Sequence, residues 1–204
     1  MELSVKQIIL VKEKFYKTFA IKLFTIILIL FVGIQSSESN EKIKIIDNLK
    51  NIETLKFNFI QISPQTREAG ICYLKRPHFL RCIYNNENKK ELIINRKNLV
   101  IYHKKYRKTY FYPVSKSFFS EILNVEKFEK LILNSNLGIT DKEIKIKYSG
   151  ENKGDIIFFF DKQSFNLKGW EIIDVYGNQT SFQIDIVDKN INLGKKLFLI
   201  PEIN

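Results

Sequence analysis

The sequence predicts a mainly β protein: a strongly curved antiparallel sheet of about ten to eleven strands, covered by about three α-helices. Three observations point there. Short segments with period-two alternation follow one another between turn signals from Lys56 to Ile200. Helical spacing of apolar residues occurs only near the start of the exported part and in the middle of the chain. The strand faces that share one parity are apolar, and the chain carries 17 Phe and 9 Tyr. A meander of so many strands must curve, and its open side must either close or be capped.

The elements follow in order. From Asn40 to Leu55, apolar residues at Ile43, Ile46, Leu49, Ile52 and Leu55 form one helical stripe, with Ser39 or Asn40 as cap and Glu41 in the first turn. Lys56 to Ile62 reads as a strand with Phe57, Phe59 and Gln61 on one face. After a loop at Pro64, the stretch Gly70 to Tyr84 reads as two strands folded back at Arg76-Pro77-His78. Cys72, Leu74 and Arg76 share one face of the first strand, and Leu80, Cys82 and Tyr84 share one face of the second. Arg76 is the exception on that apolar surface, where a guanidinium must find acceptors or reach water. Short strands follow at Glu91–Asn95, Leu99–His103 and Arg107–Tyr112.

Pro113 ends this half. Ser115 to Leu123 has helical spacing through Phe118, Phe119, Ile122 and Leu123. Asn124 caps a further helix whose stripe is Phe128, Leu131 and Ile132. Strands return at Glu143–Tyr148, Asp155–Asp161, Leu167–Val175, Thr180–Val187 and Lys196–Ile200. The apolar strand and helix faces together, Phe57, Phe59, Leu74, Leu80, Cys82, Tyr84, Phe118 and Ile122, are more than a simple core requires. They suit a cavity for a lipid chain.

Residues 1–36 have the layout of a secretory signal: Lys6, Lys12, Lys14, Lys17 and Lys22, then an apolar run from Leu23 to Ile34, then Gln35 and small residues. Cleavage is expected between Gly33 and Ser39, which leaves one domain, residues 37–204. An uncleaved anchor is the alternative, but the run is shorter than the ~20 apolar residues of a spanning helix. No cysteine lies at that exit, which argues against a lipid-anchored form. The formal net charge is +11. Lysines are spread along the mature part without one dense stripe, so compositional drift explains the surplus, with weak attraction to an anionic membrane as a by-product.

Recognisable catalytic chemistry is missing from the sequence. His78 and His103 read as turn and strand-end residues, and Asp174 as a turn carboxylate. No metal-binding, phosphate-binding or nucleophile motif occurs, so no enzyme activity, cofactor or metal is expected. Aromatics interleaved with lysines also fit a surface for single-stranded nucleic acid; an exported chain rarely meets one. Cys72 and Cys82 are equidistant from Pro77, so a tight hairpin sets them opposite one another, and an oxidising compartment permits a disulfide. A one-residue shift of the turn moves them apart.

These residues resemble the family of the outer-membrane lipoprotein carrier protein, LolA. The resemblance rests on Phe59-Ile60-Gln61, on Gly70 through Lys75-Arg76-Pro77 to Leu80, Cys82 and Tyr84, and on Leu99-Val100-Ile101-Tyr102. It continues at Asp174, Gly177 and Thr180, and at Phe198-Leu199-Ile200-Pro201. Leu80 and Cys82 stand where the family often has Phe and Trp, and the chain stops at Asn204, without the extra C-terminal strand of some relatives. The resemblance implies an unclosed β-barrel with a helical lid over a hydrophobic cavity. It also implies a periplasmic, non-enzymatic, monomeric carrier of acylated lipoproteins. Its partners would be an inner-membrane ABC transporter and an outer-membrane receptor or the membrane itself. By resemblance Arg76 is the lid latch, hydrogen-bonded to the lid in the empty state. A periplasmic binder of another hydrophobic ligand, a free lipid or a polyisoprenoid, is the alternative.

Overall fold

The computed structural model describes residues 40–201. The expected signal segment, residues 1–36, and the cleavage region up to Ser39 lie outside the described residues. Contacts divide the chain between Ile43 and Lys44, and the unit from Lys44 onward holds the whole sheet.

Eleven strands form one antiparallel sheet. They are β1 (Thr54–Ser63), β2 (Thr66–Lys75), β3 (Phe79–Tyr84), β4 (Lys90–Asn95), β5 (Asn98–His103) and β6 (Lys108–Pro113) in the first half. The second half supplies β7 (Asn136–Ile139), β8 (Glu143–Gly150), β9 (Gly154–Asp161), β10 (Leu167–Ile173) and β11 (Gln179–Lys189). The spatial order is β6-β5-β4-β3-β2-β1-β11-β10-β9-β8-β7. Every neighbour is a sequence neighbour except β1 and β11, whose pairing joins the two meanders. β6 and β7 are free edges, so the barrel is unclosed, as the resemblance implied.

Three helices lie among the described residues: α1 (residues 40–50), α2 (Phe119–Ile122) and α3 (Val125–Leu133). They bury Ile45, Ile46, Leu49, Ile122, Phe128, Leu131 and Ile132 in one core with the inner sheet face. That face contributes Phe57, Phe59, Leu74, Leu80, Ile94, Ile144, Phe158, Phe160 and Trp170. Alternation is clean along β1, where Phe57 and Phe59 are buried while Lys56 and Asn58 lie outside. Gly70 is required by close approach: a Cβ there would sit 2.1 Å from the Ile83 carbonyl oxygen and 2.8 Å from the Phe59 ring.

Four elements differ from expectation. The first helix ends at residue 50 rather than Leu55, because Asn190 competes for the next backbone groups. Its Oδ1 accepts from Glu53 N at 2.9 Å, its Nδ2 donates to Asn51 O at 2.7 Å, and Thr54 already begins β1. Residues 115–123 form a 3₁₀ turn and the single turn α2. There the Ser117 and Ser120 hydroxyls donate to the carbonyls of Val114 and Ser117, the local competition that disfavours a continuous helix. The strand expected at Lys196–Ile200 is a 3₁₀ turn, Lys195–Phe198, lying on the outer face. Side chains replace a ladder: Lys75 Nζ donates to Leu193 O, Arg81 Nη1 to Leu197 O and Asn95 Nδ2 to Phe198 O. Finally, β7 adds a strand that four residues containing Gly138 did not signal.

Candidate functional site

The site is the interior between the inner sheet face and the three helices. Strand parity sets its wall. Phe57 of β1 pairs with Cys72 of β2, which pairs with Cys82 of β3, and Leu74 pairs with Leu80. Because antiparallel partners share a face, all five side chains point inward together. Cys72 and Cys82 are joined as a disulfide across this pair, with their Cα atoms 4.0 Å apart. Tyr84 packs edge-on against Phe59 at 4.8 Å between ring centroids, and its hydroxyl donates to Gln61 Oε1 at 2.8 Å. Burial, with the charge of Glu68 second, raises the Tyr84 phenol well above its ordinary value.

Within this wall an apolar void of about 50 Å³ remains. That volume holds only a few waters, against ~300–1,000 Å³ for a drug-sized pocket. The helices therefore fill the interior. Leu49, Ile122, Leu123 and Phe128 come from the helical side, and Leu55, Phe57, Leu74, Leu80, Trp170 and Ile184 from the sheet. Phe128 lies 5.0 Å from Phe158 between ring centroids, and Trp170 stacks on Phe182 at 4.9 Å. Among the predicted residues, Phe57, Leu74, Leu80, Ile122 and Arg76 line the void itself. Phe59, Cys82, Tyr84 and Phe118 are buried in the surrounding core but do not border it.

Arg76 follows the last residue of β2 on the parity of Cys72 and Leu74, and its guanidinium lines the void. Nη1 donates to the Leu49 carbonyl of α1 at 3.0 Å. Burial lowers the Arg76 pKa to about 10, so the group stays cationic at neutral pH. Arg76 Nε and Trp170 Nε1 are buried donors without partners among the described residues.

Sequence reasoning missed three further ties around the rim. Asn48 of α1 donates to Phe165 O at 2.8 Å and to Asn166 Oδ1 at 3.1 Å, in the turn between β9 and β10. Lys153, in the turn between β8 and β9, meets Glu121 of α2 at 2.7 Å. Lys50 of α1 meets Glu129 of α3 at 2.9 Å. These pairings join residues between 32 and 118 positions apart, which no local pattern announces. Asp174 Oδ1 accepts from the Tyr176 and Asn178 amides, and bonding led by Asn178 holds its carboxyl below the ordinary range.

The site thus defines a class by its architecture: an unclosed antiparallel barrel whose apolar interior is filled by tethered helices. The chain belongs to the family of the outer membrane lipoprotein carrier protein LolA, whose family model matches residues 50–201. That family is a binding and carrier family rather than a catalytic one, and its proteins are periplasmic. No curated protein matches the chain in sequence. The chain is also similar to solved structures at low identity. A DUF1329-family protein from Desulfovibrio piger is 6% identical, covers 80% of this chain and 96% of its own, and has a TM-score of 0.50. A LolA superfamily protein from Nitrosomonas europaea is 9% identical over 76% of this chain and 96% of its own, with a TM-score of 0.42. The Mycobacterium tuberculosis lipoprotein LppX is 11% identical over 74% of this chain and 94% of its own, with a TM-score of 0.41.

Proposed function

We propose that this protein is a periplasmic carrier. It shields the acyl chains of lipoproteins in its interior and moves them from the inner to the outer membrane. The observation that carries this reading is the interior itself: a continuous apolar wall whose space is taken by helix side chains held by few polar ties. Cargo enters by displacing those side chains. Burying one C16 chain contributes on the order of 10 kcal/mol at ~0.8 kcal/mol per CH₂, before the cost of moving the lid. Arg76 is the latch: its bond to Leu49 is present only when α1 is seated.

On this reading residues 1–36 are an export signal and residues 37–204 the working domain, which acts as a monomer. A paired Cys72 and Cys82 suit the oxidising periplasm. An inner-membrane ABC transporter supplies cargo, and an outer-membrane receptor or the membrane itself accepts it. The same wall also suits a free lipid or polyisoprenoid, which mass spectrometry of material co-purified with the protein distinguishes. The direct test is competition. A hydrophobic dye, bis-ANS, binds the protein and is displaced by an acylated peptide but not by its unacylated twin. Equal displacement by both peptides overturns the reading.

A further inference from the structure

The positive surplus of the exported part is concentrated, not dispersed as the spread of lysines suggested. Residues 92–120 hold seven Lys or Arg and no Asp or Glu, against a formal surplus of +11 for the whole chain. The fold gathers that stretch onto the free edge of the sheet, at β5, the turn after it and β6. Lys104, Lys105, Arg107 and Lys108 are exposed at the β5–β6 turn, and none forms an ion pair among the described residues. Arg96, Lys97 and Lys116 lie toward the other end of the edge, where Lys97 O accepts from Val114 N.

Between these basic ends lie aromatics. Tyr110, Phe111 and Tyr112 are 45%, 51% and 48% exposed on β6, and Tyr106 is 54% exposed in the turn. Lysines on an edge strand ordinarily discourage edge-to-edge pairing. Three adjacent exposed aromatics do the opposite, so protection of the edge does not account for the pattern. Cations flanking amphipathic rings match the chemistry of a bilayer interface: the rings sit at headgroup depth and the cations meet anionic headgroups.

We propose that the β6 edge and the β5–β6 turn form a docking face for a bilayer rich in anionic phospholipid. It rests on the carrier reading and names where the membrane engages the carrier. Register connects the face to the cavity wall. Tyr110 pairs with Ile101 and Tyr112 with Leu99, so both tyrosines lie on the concave parity. Leu99 belongs to the buried core and Ile101 packs against it. The wall therefore runs from the interior out to the docked edge, and an acyl chain passing between bilayer and cavity travels along one apolar surface.

The test is flotation of the exported protein with vesicles of phosphatidylglycerol and phosphatidylcholine, or of phosphatidylcholine alone. The protein floats with the anionic vesicles only, and added salt releases it. Replacing Lys104, Lys105, Arg107 and Lys108 together by Gln lowers partitioning by about 100-fold or more at low salt, from the roughly fivefold effect of each charge. Phe111→Ser with Tyr112→Ser weakens binding to the same vesicles, and Lys→Arg at 104, 105 and 108 retains it. Equal binding to both vesicle types, or undiminished binding by the four-Gln variant with its circular dichroism intact, overturns the proposal. So does displacement by single-stranded DNA at lower concentration than by anionic lipid, which makes the face a nucleic-acid surface. Loss of a self-associated form in the Ser variant, without loss of flotation, also overturns it. Binding of acylated peptide without vesicles separates the two readings. The four-Gln variant keeps it if the carrier reading holds, and a parent protein that floats but takes no peptide fails as a carrier while keeping the docking face.

Discussion

Arg76→Leu tests the latch by a cycle of two states. With α1 seated, the guanidinium is largely out of water and has one strong acceptor, Leu49 O at 3.0 Å. Its pKa falls from 12.5 to about 10 through burial, which corresponds to a cost on the order of 3 kcal/mol for the charged form. With cargo in place of α1, the cation lies against acyl chain, so that burial cost persists while the Leu49 acceptor is lost. The burial costs cancel, and the difference between the states is the bond, roughly 1.5–3 kcal/mol for a charged donor. Leucine is equally content against helix or cargo. The variant therefore binds acylated peptide roughly 10–150-fold more tightly, and most of the change lies in a slower off-rate.

The assay is dissociation of a fluorescent acylated peptide into excess acceptor vesicles, with circular dichroism as the check on folding. Lysine keeps the charge but offers a point donor rather than a planar fork, so Arg76→Lys should fall between parent and Leu. Unchanged dissociation from a folded Arg76→Leu protein refutes the cycle and leaves Arg76 a rim residue that merely follows β2.

Three other perturbations follow from the same geometry. Asn48→Ala removes the bonds from α1 to Phe165 O and Asn166 Oδ1, and should raise bis-ANS uptake by up to about 30-fold, two hydrogen bonds at ~1 kcal/mol each; unchanged uptake means Asn48 does not hold the lid. The double change Cys72→Ala, Cys82→Ala opens a loop with a sequence separation of 10 and should lower unfolding free energy by about 2.5–3 kcal/mol in a denaturant titration. Two labelled thiols in unreduced parent protein would show instead that the bridge is not formed. Tyr84 is raised by burial and by Glu68, so its contribution to stability is fully present below the ordinary phenol range and is lost as pH rises through its folded value. Alkaline difference spectra should show one more tyrosine ionising on unfolding, and Tyr84→Phe should abolish that difference; ionisation of Tyr84 in step with the exposed tyrosines contradicts its burial.

Parity carried much of this site. Period-two spacing placed Cys72, Leu74 and Arg76 together because a strand has no other way to arrange alternate side chains, and the hairpin kept the register that Pro77 centred. Helical spacing likewise named Ile122 and Phe128 as lid residues, and both are buried. The failures lie where a distant side chain outvotes a local preference. Nothing near Ile52 announces that Asn190 will cap the chain there, and nothing near Leu199 announces that Arg81 and Asn95 will hold its neighbours off the sheet. The rim ties of Asn48 and Lys153 were hidden for the same reason. The charge surplus was misjudged differently: counting lysines missed that acids are absent from residues 92–120, and only the sheet order made that stretch an edge.

On the carrier reading proposed above, the protein must bind acyl chains and also let them go, and the packing bears on both. Were the interior empty, the full apolar gain of a C16 chain would accrue to binding, and release into a membrane would be slow. Here Leu49, Ile122 and Phe128 already bury their own surface against the wall. Cargo binding is then an exchange of one apolar filling for another, and only the surplus of cargo area over lid area counts toward affinity. The ties on the lid are correspondingly slight. The Lys50–Glu129 pair is half exposed and contributes little, which leaves Arg76, Asn48 and the better buried Lys153–Glu121 pair as the main polar terms that set the balance. Such a lid is held closed by a few kcal/mol, small beside the gross burial on either side. On that reading a modest change at the rim, such as a bilayer meeting the proposed docking edge, shifts the balance.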